Sequence, residues 1–216
     1  MIFKDRFDAG KKLSEIYKLP KNSVLFAIPR GGVPVAYAIS KSQQIPMDIV
    51  VVRKLPIPFN PEAGFGAITI DGKVILNPKF EYLFSEIPVE EIAKEVLQEV
   101  KRRDLKYRNN NPYSDLEGKT AIIVDDGFAS GYSAVAAYEM IKKLNPQKII
   151  ALAPVCPEDT KELLKKYFDE VYCLITSPLK PFAVASFYED FHDLSDEEVL
   201  ALINDLKNNN LWMNNE

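Results

Sequence analysis

Short, unbroken apolar runs alternate with one-faced amphipathic stretches along most of the chain. VLFAI (24–28), MDIVVV (47–52), KTAIIVDD (119–126), KIIALAPV (148–155) and EVYCLI (170–175) are such runs. They predict strands buried on both faces, as parallel sheets require. Between them Phe7, Leu13, Ile16 and Tyr17 form an approximate helical stripe over 7–19, and Val33–Ser40 reads as a helix. Val89, Ile92, Ala93, Val96, Leu97 and Val100 repeat at i, i+3, i+4 and i+7, the mark of a one-faced helix. Tyr132–Leu144 and Glu158–Tyr167 continue the alternation. GAITIDGKVILN offers two short runs around Asp71-Gly72, a hairpin signal, and the preceding LPIPFNPEAGF reads as a Pro-rich loop. Strands alternating with helices at this spacing predict an α/β fold, a mostly parallel sheet flanked by helices on both faces.

The pattern breaks near residue 177. SPLKPFAVASFYEDFHDL is aromatic and irregular, and Ser195 followed by Glu198 forms a capping box that opens a final helix. The expected organisation is a core over 1–177 and a terminal segment with its helix over 178–216, ending in a frayed tail, NNNLWMNNE. A length of 216 residues suits one domain, since domains run roughly 100–200 residues.

Composition removes several classes. No apolar run approaches the roughly 18 residues of a membrane span, and MIFKDRFDAGKKLSE mixes charges where a signal peptide would be apolar, so a cytoplasmic location is expected. Cys156 and Cys173 sit in apolar surroundings and read as reduced core thiols. A single histidine, His192, leaves no basis for a His-based zinc site or a Ser-His-Asp triad without a nucleophile motif. A net charge of −4 supplies no global field for nucleic acid or an anionic membrane, so a polyanion must be held locally. KRRDLKYR (101–108) reads as a solvated helix face rather than a nucleic-acid patch, because aromatic interleaving is sparse.

Ligands of open parallel sheets sit beyond the carboxyl ends of the strands, and AIIVDDGFASGYSA is the most informative of those ends. Asp125 and Asp126 close a strand, and Ser130, Gly131 and Ser133 open a helix. The helix start offers free N–H groups and partial positive charge, Gly131 lets the backbone approach closely, and the serines add donors. A phosphate cradle beside carboxylates that accept from sugar hydroxyls describes a ribose 5-phosphate.

Here the sequence resembles the type I phosphoribosyltransferases, whose motif for phosphoribosyl pyrophosphate (PRPP) is four hydrophobics, two acids and a Thr/Ser-Gly-x-Thr/Ser loop. FAIPRGGVPVA (26–36) is similar to the family's pyrophosphate loop. VVRKLP (51–56) is similar to the Arg-Lys that ends the second strand in adenine and orotate phosphoribosyltransferases. Nearly the whole chain, including RKLPIPFNPEAGFGAI and FYEDFHDLSDEEV, resembles a subfamily of phosphoribosyltransferases whose acceptor is not settled.

The resemblance implies a core with a small carboxyl-terminal hood and transfer of phosphoribose from PRPP to a nitrogenous acceptor. Mg2+ would be held mainly by substrate oxygens and water. Arg30, Gly31 and Gly32 would hold the pyrophosphate and Arg53 and Lys54 add to that field. Asp125 and Asp126 would fix the ribose hydroxyls, and Ala129, Ser130, Gly131, Tyr132 and Ser133 the 5-phosphate. Asp125, Asp126, Arg30 and Lys54 are the catalytic candidates. A closing loop within Leu55–Gly66 would exclude water. Phe182 and Tyr188 are the acceptor-binding candidates, although the aromatic cluster around them fits a core equally well. Ala129 stands where 6-oxopurine enzymes carry an acid that serves the purine ring, which disfavours hypoxanthine and guanine. A homodimer is compatible with the family. A second reading keeps the fold and makes the chain a regulator that senses PRPP or a nucleotide without turnover; a third is a phosphatase or PRPP pyrophosphohydrolase.

Overall fold

The computed structural model describes residues 2–214. Its strands are β1 (Ser23–Ala27), β2 (Met47–Ile49), β3 (Val52–Ile57), β4 (Asn60–Thr69), β5 (Val74–Leu76), β6 (Thr120–Val124), β7 (Lys148–Pro157) and β8 (Glu170–Ser177). Its helices are α1 (Arg6–Ile16), α2 (Gly32–Gln43), α3 (Val89–Arg108), α4 (Tyr132–Ile141), α5 (Glu158–Leu164) and α6 (Asp196–Asn208). Five parallel strands form one sheet in the order β2-β1-β6-β7-β8, and β3-β4-β5 form a separate antiparallel sheet. The α/β expectation and the parallel sheet are thus observed.

Strand alternation builds the two sides of the core. Leu25, Ala27, Ile122, Val124, Ile150 and Leu152 face α2, α3 and α6, while Val24, Phe26, Ala121, Ile123, Ile149 and Ala151 face α4 and α5. Strands apolar at every position are what this two-sided burial needs. Among the described residues no helix is long and apolar enough to cross a membrane. Cys156 and Cys173 are buried free thiols.

Four expectations need correction. The run 47–52 is not one strand: β2 ends at Ile49, and Val52 already belongs to the second sheet. Val50 and Val51 are fully buried at the switch, so the apolar run gives no sign of it. Second, LPIPFNPEAGF is not a loop but most of the β3–β4 hairpin. Its register shifts on either side of Pro56, and a bulge is where a strand tolerates proline. Third, the tail is not frayed before residue 215. Leu211 and Trp212 are buried, Met47 donates to the Leu211 carbonyl at 2.8 Å, and Met213 donates to that of Met47 at 3.0 Å. The tail thereby satisfies edge groups of β2 that would otherwise invite pairing. Asn215 and Glu216, the last residues of that expected frayed segment, lie outside the described residues.

Finally, KRRDLKYR is not a uniformly solvated face. Arg103, Asp104, Tyr107 and Arg108 are buried, and Arg108 makes a two-pronged bond to Asp48 (Nε–Oδ1 2.8 Å, Nη2–Oδ2 3.2 Å) with Nη1 on Asp104 at 3.1 Å. Its guanidinium lies 3.6 Å from the Tyr113 ring centre. Removing the cation strands two buried carboxylates, so Arg108→Leu should destabilise the fold by about 3–5 kcal/mol. Thermal denaturation would register this as a fall of roughly 10 °C.

Candidate active site

Strand order reverses between β1 and β6, whose neighbours lie on opposite sides, and a crevice at such a point collects ligands at the carboxyl ends. Two loops meet there. The loop after β1 carries Arg30, Gly31 and Gly32, with a cis peptide between Pro29 and Arg30; the loop after β6 carries Asp125 to Gly131. They touch closely. A Cβ on Gly31 would stand 2.0 Å from Asp126 Oδ2, and one on Gly32 would stand 2.5 Å from the Val124 carbonyl oxygen.

The second loop ends in the expected cradle. Gly131, at φ +88°, caps α4 without any side-chain bond, which leaves N–H groups of the first turn open. A Cβ there would meet Thr160 Cγ2 at 3.0 Å, and the Thr160 hydroxyl donates to the Ala129 carbonyl. α5 therefore buttresses the loop. Sequence reading passed over Thr160, which carries no local signal beyond its place after β7.

A cleft of about 810 Å³ opens in front of this loop. Asp125, Ala129, Ser130, Gly131, Tyr132 and Ser133 line one side, Lys54 and Asn77 line the wall made by the small sheet, and Phe182 lines the far side. Lys54 is exposed and donates to the Glu62 carbonyl at 2.8 Å across the hairpin. The hairpin tip carries Phe59, 72% exposed. The expected closing loop is thus a paired β-hairpin overhanging the cleft.

The acid pair is asymmetric. Asp126 Oδ2 accepts from Arg6 Nε at 3.0 Å, and the Asp126 carbonyl accepts from the Tyr188 hydroxyl at 2.6 Å. Asp125 faces the cleft, and its Oδ1 accepts from the Asp126 N–H at 2.8 Å. Burial, then the neighbouring Asp126, push the Asp125 carboxyl well above the usual range. Burial raises Asp126 as well, opposed by Arg6.

Arg30, Gly31, Gly32, Arg53 and Asp126 do not line the cleft itself. Arg30 donates to the Tyr107 hydroxyl at 3.2 Å and reaches Asp196 Oδ1 at 3.4 Å. Asp196 also accepts from Arg102 Nη1 at 2.9 Å and from the Tyr107 hydroxyl. The Tyr107 hydrogen bond, with Arg102 and Arg30 against the cost of burial, holds the Asp196 carboxyl down to about 2. Arg53 is half-buried, and burial together with Arg103, Arg30 and Arg102 lowers its pKa against the pull of Glu99. Arg53 of β3 and Arg102 and Arg103 of α3 thus gather beside the Arg30 loop. Asp196 is the first residue after the recognised capping Ser195; its reach to Arg30 has no signature in sequence.

The acceptor-binding candidates separate. Phe182 remains at the cleft, its ring 5.6 Å from that of Phe187. Tyr188 is a core residue instead: it is buried, bridges in parallel to Phe3 and spends its hydroxyl on Asp126.

A comparison with known proteins agrees with this geometry. Residues 72–192 match the phosphoribosyl transferase domain family. Proteins of two Mycobacterium tuberculosis strains, each named "Putative phosphoribosyl transferase", are 39% identical over 207 residues, covering 94% of this chain and 46% of theirs. The chain thus spans about half the length of these curated relatives. The crystal structure of TT1426 from Thermus thermophilus is 32% identical with a TM-score of 0.72, covering 94% of this chain and 97% of that one. With more than half its length matched and with Asp125 and the cradle in one cleft, the chain belongs to the phosphoribosyl transferase domain family.

Proposed function

We propose that the protein transfers 5-phosphoribose from PRPP to a nitrogenous base and releases pyrophosphate. The observation that carries this reading is the cleft in which Asp125 stands at the end of β6 and the open N–H groups of α4 stand one loop away. A 5-phosphate bound at residues 129–133 brings the ribose hydroxyls to Asp125. The diphosphate then lies toward Arg30, Arg53 and Lys54, whose charges stabilise it most as it departs. The carboxylates favour the positive charge that develops on the ring as the bond from C1 to the diphosphate oxygen breaks and the acceptor nitrogen bonds to C1. The acceptor occupies the cleft beneath Phe182, and the β3–β4 hairpin, whose Glu62, Ala63 and Gly64 line the cleft, excludes water, which would otherwise capture the ring.

Mg2+ is the proposed cofactor. Among the described residues no group of three or more His, Cys, Asp or Glu side chains forms a metal site, and a hard cation carried by diphosphate oxygens and water needs none. Asp125, which lines the cleft, would hold the cation's water shell. When bound, it would neutralise diphosphate charge.

The test is acceptor-dependent pyrophosphate release across a panel of purine and pyrimidine bases with PRPP and Mg2+. Release with one base and not without it is expected. Saturable PRPP binding with no release on any base would assign a sensor, and release without a base would assign a hydrolase.

A further inference from the structure

The amino-terminal arm is built into the site. Phe3 donates to the Phe187 carbonyl at 2.8 Å, Glu189 donates back to that of Phe3 at 2.8 Å, and Asp190 donates to that of Lys4 at 3.0 Å. This clasp delivers Arg6, whose side chain is 8% exposed. Its Nε donates to Asp126 Oδ2 at 3.0 Å, its Nη1 to the His192 carbonyl at 2.8 Å, and its guanidinium carbon lies 4.0 Å from the Phe191 ring centre. The guanidinium is therefore fixed on two edges and one face.

The oxygen that Arg6 holds is the one against which Gly31 packs. Asp126 Oδ2 lies between the Arg6 guanidinium and the backbone of the Arg30 loop, with no room for a ligand atom on that side. Asp126 is in this way a strut between the loop after β1 and the loop after β6, and Arg6 sets its angle.

We infer that Arg6 is a positioning residue which, through Asp126, fixes the distance between the diphosphate-facing Arg30 loop and the phosphate-holding loop at 129–133. This rests on the PRPP reading proposed above. The opposition of Arg6 to the burial cost of Asp126 agrees with it. A ligand that spans both loops should feel the loss of the strut. One that touches only the loop after β6 should not.

The experiment is calorimetric titration of wild type, Arg6→Met and Arg6→Lys with PRPP plus Mg2+ and, separately, with ribose 5-phosphate. Arg6→Met is expected to weaken PRPP about 30-fold and ribose 5-phosphate less than about threefold, a loss of the size that misplaced positioning groups cause. Arg6→Lys should recover part of the PRPP affinity, because it restores the charge but not the planar fork. Equal losses for both ligands, or an unchanged PRPP affinity, would overturn the inference while leaving the PRPP reading intact. A wild type that fails to bind PRPP would overturn both. If Arg6→Met does not fold, Arg6→Lys alone decides: a larger loss for PRPP than for ribose 5-phosphate supports the strut, and equal losses reject it.

Discussion

Asp125→Asn is expected to lower kcat/KM for PRPP by about a thousandfold, the upper range for losing a group that meets transition-state charge, while raising the melting temperature at neutral pH. The second sign follows from one fact. Burial and the neighbouring acid hold the Asp125 carboxyl well above its ordinary pKa, so the folded state binds this proton more tightly than the unfolded state does. Stability linked to that group is complete below the unfolded value and is lost as pH rises through the folded one. Above the unfolded value the buried group must either hold its proton or ionise out of water, a cost to the fold without substrate that the neutral amide removes. The excess in melting temperature of Asp125→Asn over the wild type should grow as pH rises from 4. Asp126→Asn should not share that gain: burial raises this carboxyl too, but its removal leaves Arg6, whose side chain is 8% exposed, without the carboxylate facing it. An Asp126→Asn stabilised as much as Asp125→Asn, or an Asp125→Asn that keeps full turnover, would contradict the asymmetry of the pair.

That asymmetry was not legible in the sequence, whereas the pair itself was. A run of apolar residues closed by two acids and a small-residue helix start is a local pattern, and local patterns survive in one dimension. The same holds for the core strands, since both-sided burial writes an unbroken apolar run, and for α6, whose capping box appears as read, with Ser195 and Glu198 bonded reciprocally. What escaped was set by distant partners. Arg6 meets Asp126 across most of the domain, Asp196 meets Arg30 from the far end of the chain, and Tyr188 is turned inward by Phe3. The hairpin escaped for a different reason: its prolines argue for a loop, and only the bulge at Pro56 reconciles them with strand pairing. The basic end of α3 misled because charge predicts solvent, and the buried carboxylate of Asp48 that pairs Arg108 comes from β2, distant in sequence.

Gly31→Ala is expected to lower kcat/KM by at least about 100-fold, the penalty for displacing a positioned loop by an ångström or more. Conformation does not explain the loss. Gly31 sits at φ −58° and ψ −33°, where any residue is at ease, and alanine at such a position favours folding by about 0.4–1 kcal/mol through the unfolded chain. Space does explain it. The new methyl would stand 2.0 Å from Asp126 Oδ2 and 2.6 Å from Cγ, so either the Arg30 loop retreats or the Asp126 carboxylate rotates off Arg6. The contrasting position is Gly118, at φ +73° with nothing within 4 Å of a built Cβ. Gly118→Ala should cost stability, about 1–2 kcal/mol for a left-handed residue, and leave kcat/KM unchanged. Steady-state kinetics on the two variants separates backbone strain from steric displacement. On an Asp126→Ala background the atoms struck by the methyl are gone, so Gly31→Ala should add no more than a few-fold further loss, the non-additivity expected of groups in contact. Full additivity of the two losses would show that Gly31 acts on catalysis by a route other than Asp126.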